Sequence, residues 1–342
     1  MKVPVVFFGT PEFAVPALEA LVKSGYKIAA VVTQPDKPVG RGLKMEASVV
    51  KVKAQELGLN VLQPDTLKTP AALEIFKSLN IDLAVCIAYG KIIPKSVLDL
   101  FPRGVLNIHP SLLPKYRGPS PIQSAIANGD SETGVTIMLL DEETDHGAIL
   151  TQHAMAISPS PSPLPAREGG RRPGEGPTGA ELSKLLAQEG AKLLIKTLPQ
   201  WLNRTVEPLE QDHAKATFTK LLEREDGRIN WQQPAEQIER IVRAYDLWPG
   251  TWTTWPAPNS AQQNLKAGKR LKILRATLLH PTIGCANNAT PGYVWKTDDG
   301  RLAINCNPGS VIFEKIQLEG KKPMTGQEFL HGYPKILSCI LN

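Results

Sequence analysis

Two side chains able to handle protons and developing oxyanions stand two residues apart in the run GVLNIHPSLLPKYRGPSP, residues 104–121: Asn107 and His109. Val105, Leu106 and Ile108 around them are apolar, so the segment reads as a buried strand. Pro110, which has no donor for a sheet ladder, ends it. Residues two apart on a strand share a face, so the amide and the imidazole project together at its tip. A neutral amide donor suits an oxyanion, and an imidazole with an ordinary pKa near ~6.5 exchanges protons near neutrality. An acidic partner is offered by Thr144-Asp145-His146-Gly147, after a further strand pattern at 133–140. Asp145 can hold an imidazole in one tautomer or shuttle a proton itself. The sequence leaves open which of His109 and Asp145 removes a proton from a nucleophile.

The elements that must position these residues read as repeated strand–helix units. An apolar run at 3–8 predicts a strand, then a helix capped by Thr10 with Pro11 at its first position and ending at Gly25, then a strand at 27–33. The first strand-to-helix turn holds Gly9-Thr10-Pro11 but no G-x-G-x-x-G, which counts against a nicotinamide enzyme. Residues 34–45, QPDKPVGRGLKM, read as a loop. A helix at 47–57, a strand at 60–62, a helix begun by Thr69-Pro70, a strand at 82–88 ending in Tyr89-Gly90 and a helix at 94–100 lead to the strand of Asn107. This order predicts an α/β fold with a doubly wound, mostly parallel, Rossmann-like sheet. Ligands in such sheets gather beyond the carboxyl ends of the strands, so Tyr89-Gly90, Asn107, His109 and Asp145 should meet on one rim.

Further on, 123–128 reads as a helical turn and 149–157 as a strand, and 181–202 carries leucines at helical spacing. Between them, residues 158–177 are rich in proline and glycine and lack aromatics, which predicts a disordered insertion. Residues 205–220 read as a crossing to a second domain, where β-prone runs at 270–279, 292–297, 301–306 and 311–318 suggest a small OB-like β-barrel. The expected division is a catalytic domain at 1–206 and a linker plus barrel at 207–342.

Composition narrows the class further. Of 342 residues 42% are hydrophobic and 21% charged, ordinary for a globular protein able to bury a core in each of two domains. No run approaches the roughly 18 apolar residues of a membrane span. The opening MKVPVVFFGTPEF turns polar too soon for a signal peptide. The four cysteines are scattered without metal-ligand spacing. The expectation is a cytoplasmic protein with reduced thiols, no metal and no membrane association. The net charge of +6 is concentrated locally. No acidic residue lies between Asp246 and Asp298, a stretch holding Lys266, Lys269, Arg270, Lys272, Arg275 and Lys296, and a second basic patch runs from Lys37 through Arg41 and Lys44 to Lys51 and Lys53. One patch in each half fits a polyanion.

NIHPSLLPKYRG followed by GVTIMLLDEETDHG, with ATFTKLLEREDGRINW, RAYDLWPGTWT and the tail KKPMTGQEFLHG, resembles the folate-dependent formyltransferase family. The resemblance implies transfer of a formyl group from 10-formyltetrahydrofolate to an amine, with Asn107 and His109 at the oxyanion and Asp145 managing the proton. It places the folate contact at Ser111, Leu112, Leu113 and Pro114, with Tyr89 and Gly90 beside them. The implied acceptor is methionine on an initiator methionyl-tRNA, met by Arg41 and Lys44 in the 34–45 loop and by Lys266, Lys269, Arg270 and Lys272 in the barrel. The sequence departs from the family pattern at Ala47-Ser48-Val49, where a Pro-x-Pro-like run is usual, and at His146, where Thr is commoner. His153, His213, His280 and His331 are isolated and receive no role. Two alternatives stay open: a sugar-nucleotide formyltransferase using the same donor and the same three residues, and a catalytically silent RNA-binding protein. The basic patches favour RNA. A monomer is expected.

Overall fold

A computed structural model describes residues 3–39, 44–157, 176–256, 268–279 and 290–342. Two compact units divide the chain: Met1–Pro121, Glu132–Ala156 and Leu182–Lys220 form the first, and Ile122–Ser131, Ile157–Glu181 and Leu221–Asn342 the second.

In chain order the first strands are β1 (Val5–Gly9), β2 (Ile28–Val32), β3 (Lys37–Val39), β4 (Lys44–Glu46), β5 (Val61–Leu62), β6 (Leu83–Ile87), β7 (Val105–His109), β8 (Glu132–Leu139) and β9 (Ile149–Ala156). The accompanying helices are α1 (Val15–Lys23), α2 (Val49–Glu56), α3 (Pro70–Leu79), α4 (Lys95–Leu98), α5 (Pro121–Ala127) and α6 (Gly179–Leu202). The main sheet runs β5-β2-β1-β6-β7-β8-β9, parallel through β7 and antiparallel from β7 to β9. Every residue of β1, β6 and β7 is buried, as expected of parallel strands covered on both faces. The register pairs Gly9 with Ile87 and Cys86 with Asn107, so the carboxyl ends of β1, β6 and β7 line one rim. Behind that rim α6 braces β7. Ile108, which alternation points away from Asn107 and His109, lies so close to Gly190 that a Cβ there would come within 2.7 Å of Ile108 Cγ2.

Two local expectations are corrected. Thr10 does not cap a helix: the turn after β1 is a 3-10 segment without a side-chain cap, and the Thr10 hydroxyl donates to the Tyr89 carbonyl at 2.9 Å. The 34–45 stretch is also more than a loop, because β3 and β4 pair antiparallel, with Lys37 opposite Glu46 and Pro38 opposite Met45. Proline is tolerated there because a two-stranded ribbon leaves free edges. At its base Asp36 accepts from Gln63 at 2.8 Å and Lys51 at 2.7 Å, and these bonds, the Gln63 amide first, hold its carboxyl below the usual range.

The second unit, which includes α5 from Ile122 onward, adds α7 (Ala235–Ala244) and the strands β10 (Thr251–Trp255), β11 (Lys269–Leu278), β12 (Val294–Lys296), β13 (Leu302–Asn305), β14 (Ser310–Leu318) and β15 (Met324–Thr325), then α8 (Gly326–Gly332). They form an antiparallel sheet ordered β10-β11-β14-β13-β12, with β15 on β14. The tail joins the two ends of that path. Leu341 donates to the Gly292 carbonyl and Val294 to that of Cys339, while Thr254 and Asn342 exchange both backbone bonds. This closure makes the curled sheet barrel-like around a core that includes Trp231, Leu271, Phe313 and Phe329.

Candidate active site

β7 ends in two polar side chains set in a buried strand: Asn107 is 7% exposed and His109 4%. The imidazole is held on both edges. Its Nε2 lies 2.9 Å from the Tyr116 carbonyl, which can only accept, so Nε2 carries a hydrogen and donates it. Its Nδ1 faces Asp145 Oδ1 at 3.4 Å. Any proton passed between imidazole and carboxylate therefore moves along the Nδ1 edge. The separation is longer than a standard hydrogen bond, and catalytic pairs often tighten only once substrate is bound. None of the described residues hydrogen-bonds the Asn107 carboxamide, which leaves its donors free at the strand tip.

Asp145 sits in a left-handed backbone conformation, φ +49°, unusual for a residue with a side chain. Two glycines make room for it. The Gly118 N–H donates to Asp145 Oδ2 at 2.7 Å, and Gly118, at φ +105°, leaves no space for a Cβ, which would lie 2.7 Å from the Thr219 carbonyl oxygen. At Gly147 a Cβ would fall 2.1 Å from the Leu139 carbonyl oxygen, so only glycine lets the turn pass that close to β8. Burial first, with the Asp145 charge adding to it, pushes the neighbouring Cys86 thiol up to about 12, so that thiol stays protonated and is no nucleophile.

The expected folate contacts separate into two kinds. Ser111 and Leu113 belong to the scaffold. The Ser111 carbonyl accepts from Thr136 Oγ1 at 2.7 Å, the Leu113 carbonyl accepts from Gln152 at 2.9 Å, and the Leu113 side chain packs with Met138 and Ile149. Leu112 and Pro114 remain half-buried, with apolar surface to offer. At Tyr89 the rim offers backbone and not the side chain. That ring is 1% exposed, edge-on to Phe8 at 5.5 Å between centroids, and burial raises its hydroxyl to about 12. Positive φ at Ala88 and Gly90 reverses the chain and turns the ring into the core, while the Tyr89 carbonyl accepts from Thr10 and Gln34. Gly90 backs directly onto the Gln34 amide, where a Cβ would lie 2.3 Å from its nitrogen.

Comparison with known proteins places this geometry in context. Residues 1–164 match the formyl transferase family model and residues 221–334 that of the formyl transferase C-terminal domain. A methionyl-tRNA formyltransferase of Roseiflexus castenholzii is 44% identical over 333 residues, 97% of this chain and 96% of that protein. One of Chloroflexus aurantiacus is 40% identical over 328 residues, 96% of each. The chain belongs to the formyl transferase family. Among solved structures, an N-formyltransferase from Helicobacter canadensis in complex with folinic acid and dTDP-3-aminofucose shares the fold, with TM-score 0.59, 19% identity and coverage of 91% of this chain and 99% of that one.

The expected RNA contacts fall in both units. Arg41 and Lys266 lie outside the described residues, as does 158–175 of the expected insertion. Lys44 is exposed on β4. On β11, Arg270 and Lys272 share the face of Trp252, which pairs with Lys272 and stacks under the Arg270 guanidinium at 4.0 Å; Lys269, one position out of phase, belongs to the other face. Among the described residues no cluster of His, Cys, Asp or Glu could hold a metal, and no helix is long and apolar enough to cross a membrane.

Sequence reasoning missed the residues that hold the site from behind. Arg117, 3% exposed, donates from Nε and Nη2 to Gln211 Oε1 at 3.1 and 2.7 Å, and Nη2 also lies 2.7 Å from His213 Nδ1. His213 is not isolated, since its ring stacks on His146 with centroids 4.2 Å apart. His146 Nδ1 is 2.7 Å from Asp141 Oδ2, so its hydrogen bond goes to Asp141 and not to Asp145. The Arg117 in the YRG motif was the one available signal, because a fully buried guanidinium needs acceptors from elsewhere in the chain.

Proposed function

We propose that the chain transfers the formyl group of 10-formyltetrahydrofolate to the α-amino group of methionine on initiator methionyl-tRNA, giving N-formylmethionyl-tRNA and tetrahydrofolate. The observation that carries this reading is identity of 40–44% to methionyl-tRNA formyltransferases over nearly the whole length of both chains. The likeness to the sugar-linked enzyme concerns the fold alone.

The roles follow from the groups left available. The amine nitrogen attacks the formyl carbon, the carbonyl electron pair moves to oxygen, and the amine loses a proton. Carbon–nitrogen cleavage then releases the folate nitrogen, which gains one. Asn107, whose amide bonds to none of the described residues, donates to the oxyanion. His109 has committed its Nε2 hydrogen to Tyr116, so it acts through Nδ1, the edge it shares with Asp145. Asp145 receives the amine proton, aided by the Gly118 N–H that steadies its other oxygen. Leu112 and Pro114 cover an apolar ring of the donor, and the exposed cations of β4 and of β11 meet the RNA backbone. The protein works in the cytoplasm as a monomer, with residues 1–206 carrying the chemistry and 207–342 sharing the RNA contact with Lys44. Incubation with 10-formyltetrahydrofolate and either methionyl initiator tRNA or an amino-sugar nucleotide tests this. Formyl transfer to the sugar, or RNA binding without release of tetrahydrofolate, would refute it.

A further inference from the structure

We propose that Gln211 is a positioning residue for the Asp145–His109 pair, and that the strap Leu209–Thr219 sets the geometry of both partners of His109 from outside the sheet. The proposal rests on the function proposed above, and it concerns residues that touch no reacting atom.

The Gln211 carboxamide is 4% exposed and makes every bond its chemistry allows. Nε2 donates to the Asp145 carbonyl at 2.9 Å and the Gly147 carbonyl at 2.7 Å, while Oε1 accepts twice from Arg117. The orientation is unambiguous, because a flipped amide would set its NH2 against a guanidinium. The two carbonyls flank the turn in which Asp145 holds its left-handed conformation, a state that persists only where surroundings impose it. Gln211 imposes it, and so aims the carboxylate at His109 Nδ1.

The same strap reaches the other edge of the imidazole. Tyr116, whose carbonyl takes the Nε2 hydrogen, is itself left-handed at φ +62°. Its N–H donates to Thr217 Oγ1 at 2.8 Å, the Arg117 N–H donates to the Thr217 carbonyl at 2.8 Å, and Thr219 N–H donates to the Arg117 carbonyl at 2.7 Å. At its start, Leu209 and Ile149 exchange backbone bonds at the beginning of β9. Both hydrogen-bonding directions of His109 are thus fixed by one irregular segment about a hundred residues downstream. Lys220, which follows it, is the last residue of the first unit.

Gln211→Glu keeps acceptors for Arg117 and removes both donors to the turn; Thr217→Val removes the acceptor for Tyr116 N–H at nearly constant shape, and Thr217→Ser restores it. With the full chain, 10-formyltetrahydrofolate and methionyl initiator tRNA, Gln211→Glu should lower kcat by about 10²-fold, the scale of a misplacement near 1 Å, at temperatures where the variant stays folded and with both KM values unchanged. Thr217→Val should lose kcat as well, and Thr217→Ser should recover it. Normal kcat in Gln211→Glu and Thr217→Val would overturn the proposal, as would a loss that follows Tm and is not rescued by serine. If Gln211→Glu does not fold, the Thr217 pair decides. An unaltered chain inactive on methionyl-tRNA sinks the functional reading alone. The strap is then read from the His109 ring nitrogen resonances of the free protein, which Gln211→Glu and Thr217→Val should shift and Thr217→Ser should not; unchanged resonances in the first two would overturn it.

Discussion

At the scale of single residues, the site separates groups spent on the fold from groups left for chemistry. His109 is tied on both edges, so its removal takes the donor from the Tyr116 carbonyl and leaves Asp145 held by the Gly118 N–H without its imidazole partner; loss of activity in His109→Ala mixes structure with mechanism. Asn107 has no such entanglement, since its carboxamide bonds to none of the described residues. Asn107→Ala should therefore leave the urea unfolding midpoint unchanged and lower kcat by about 10²–10³-fold, the typical loss of one oxyanion donor. A stability loss equal in size to the catalytic one would place the amide in the fold instead. These residues were legible because a period of two and a terminal proline fix the face and the stop of β7. Gln211 was not, since it sits in an irregular segment with no periodicity to read. The burial of the Tyr89 ring was not legible either, because nothing local announces that Ala88 and Gly90 both take positive φ.

At the scale of elements, apolar periodicity carried α6 and the parallel strands, while a composition of two prolines and two glycines over residues 34–45 hid the β3–β4 pair. The closing tail was equally invisible, because its pairing with Gly292, Val294 and Thr254 is set by distant backbone groups. Caps, misread at Thr10, are local enough to test one at a time. In Thr325-Gly-Gln-Glu328 the threonine hydroxyl accepts from the Glu328 N–H at 3.2 Å and the glutamate accepts from the Thr325 N–H at 2.7 Å, satisfying two free donors at the start of α8. Thr325→Ala should cost about 1 kcal/mol of stability in urea at neutral pH. The Thr325 backbone N–H first, then its hydroxyl, holds the Glu328 carboxyl below its ordinary 4.5. A depressed carboxylate contributes stability that is complete above its unfolded value and is lost as pH falls through the folded one. NMR titration of Glu328 should therefore give a midpoint below 4.5 in the native protein and one nearer 4.5 in Thr325→Ala, where only the backbone bond remains.

At the scale of the whole molecule, a net charge of +6 on 342 residues is too dilute to select a polyanion by its general field, so the placement of individual cations decides. On β11 the acid-free stretch resolves into two kinds of cation. Arg270 is partly spent on Trp252, which the Arg228 guanidinium also approaches at 5.7 Å, whereas Lys272 is exposed and paired across the strand with Trp252 without stacking on it. Lys272→Gln should thus remove one charge and no packing. If Lys272 neutralises a phosphate of the RNA, log K for methionyl initiator tRNA falls linearly with log salt, and the substitution makes that slope shallower by about 0.9 while leaving kcat at saturation unchanged. Arg270→Gln should reduce the slope by a similar amount but also lower Tm, because the ring loses a cation worth roughly 0.5–1 kcal/mol. An unaltered slope in Lys272→Gln would remove this face of the barrel from the interface. A slope near zero in the unaltered protein would argue against an RNA acceptor altogether, because a small sugar nucleotide displaces few counterions.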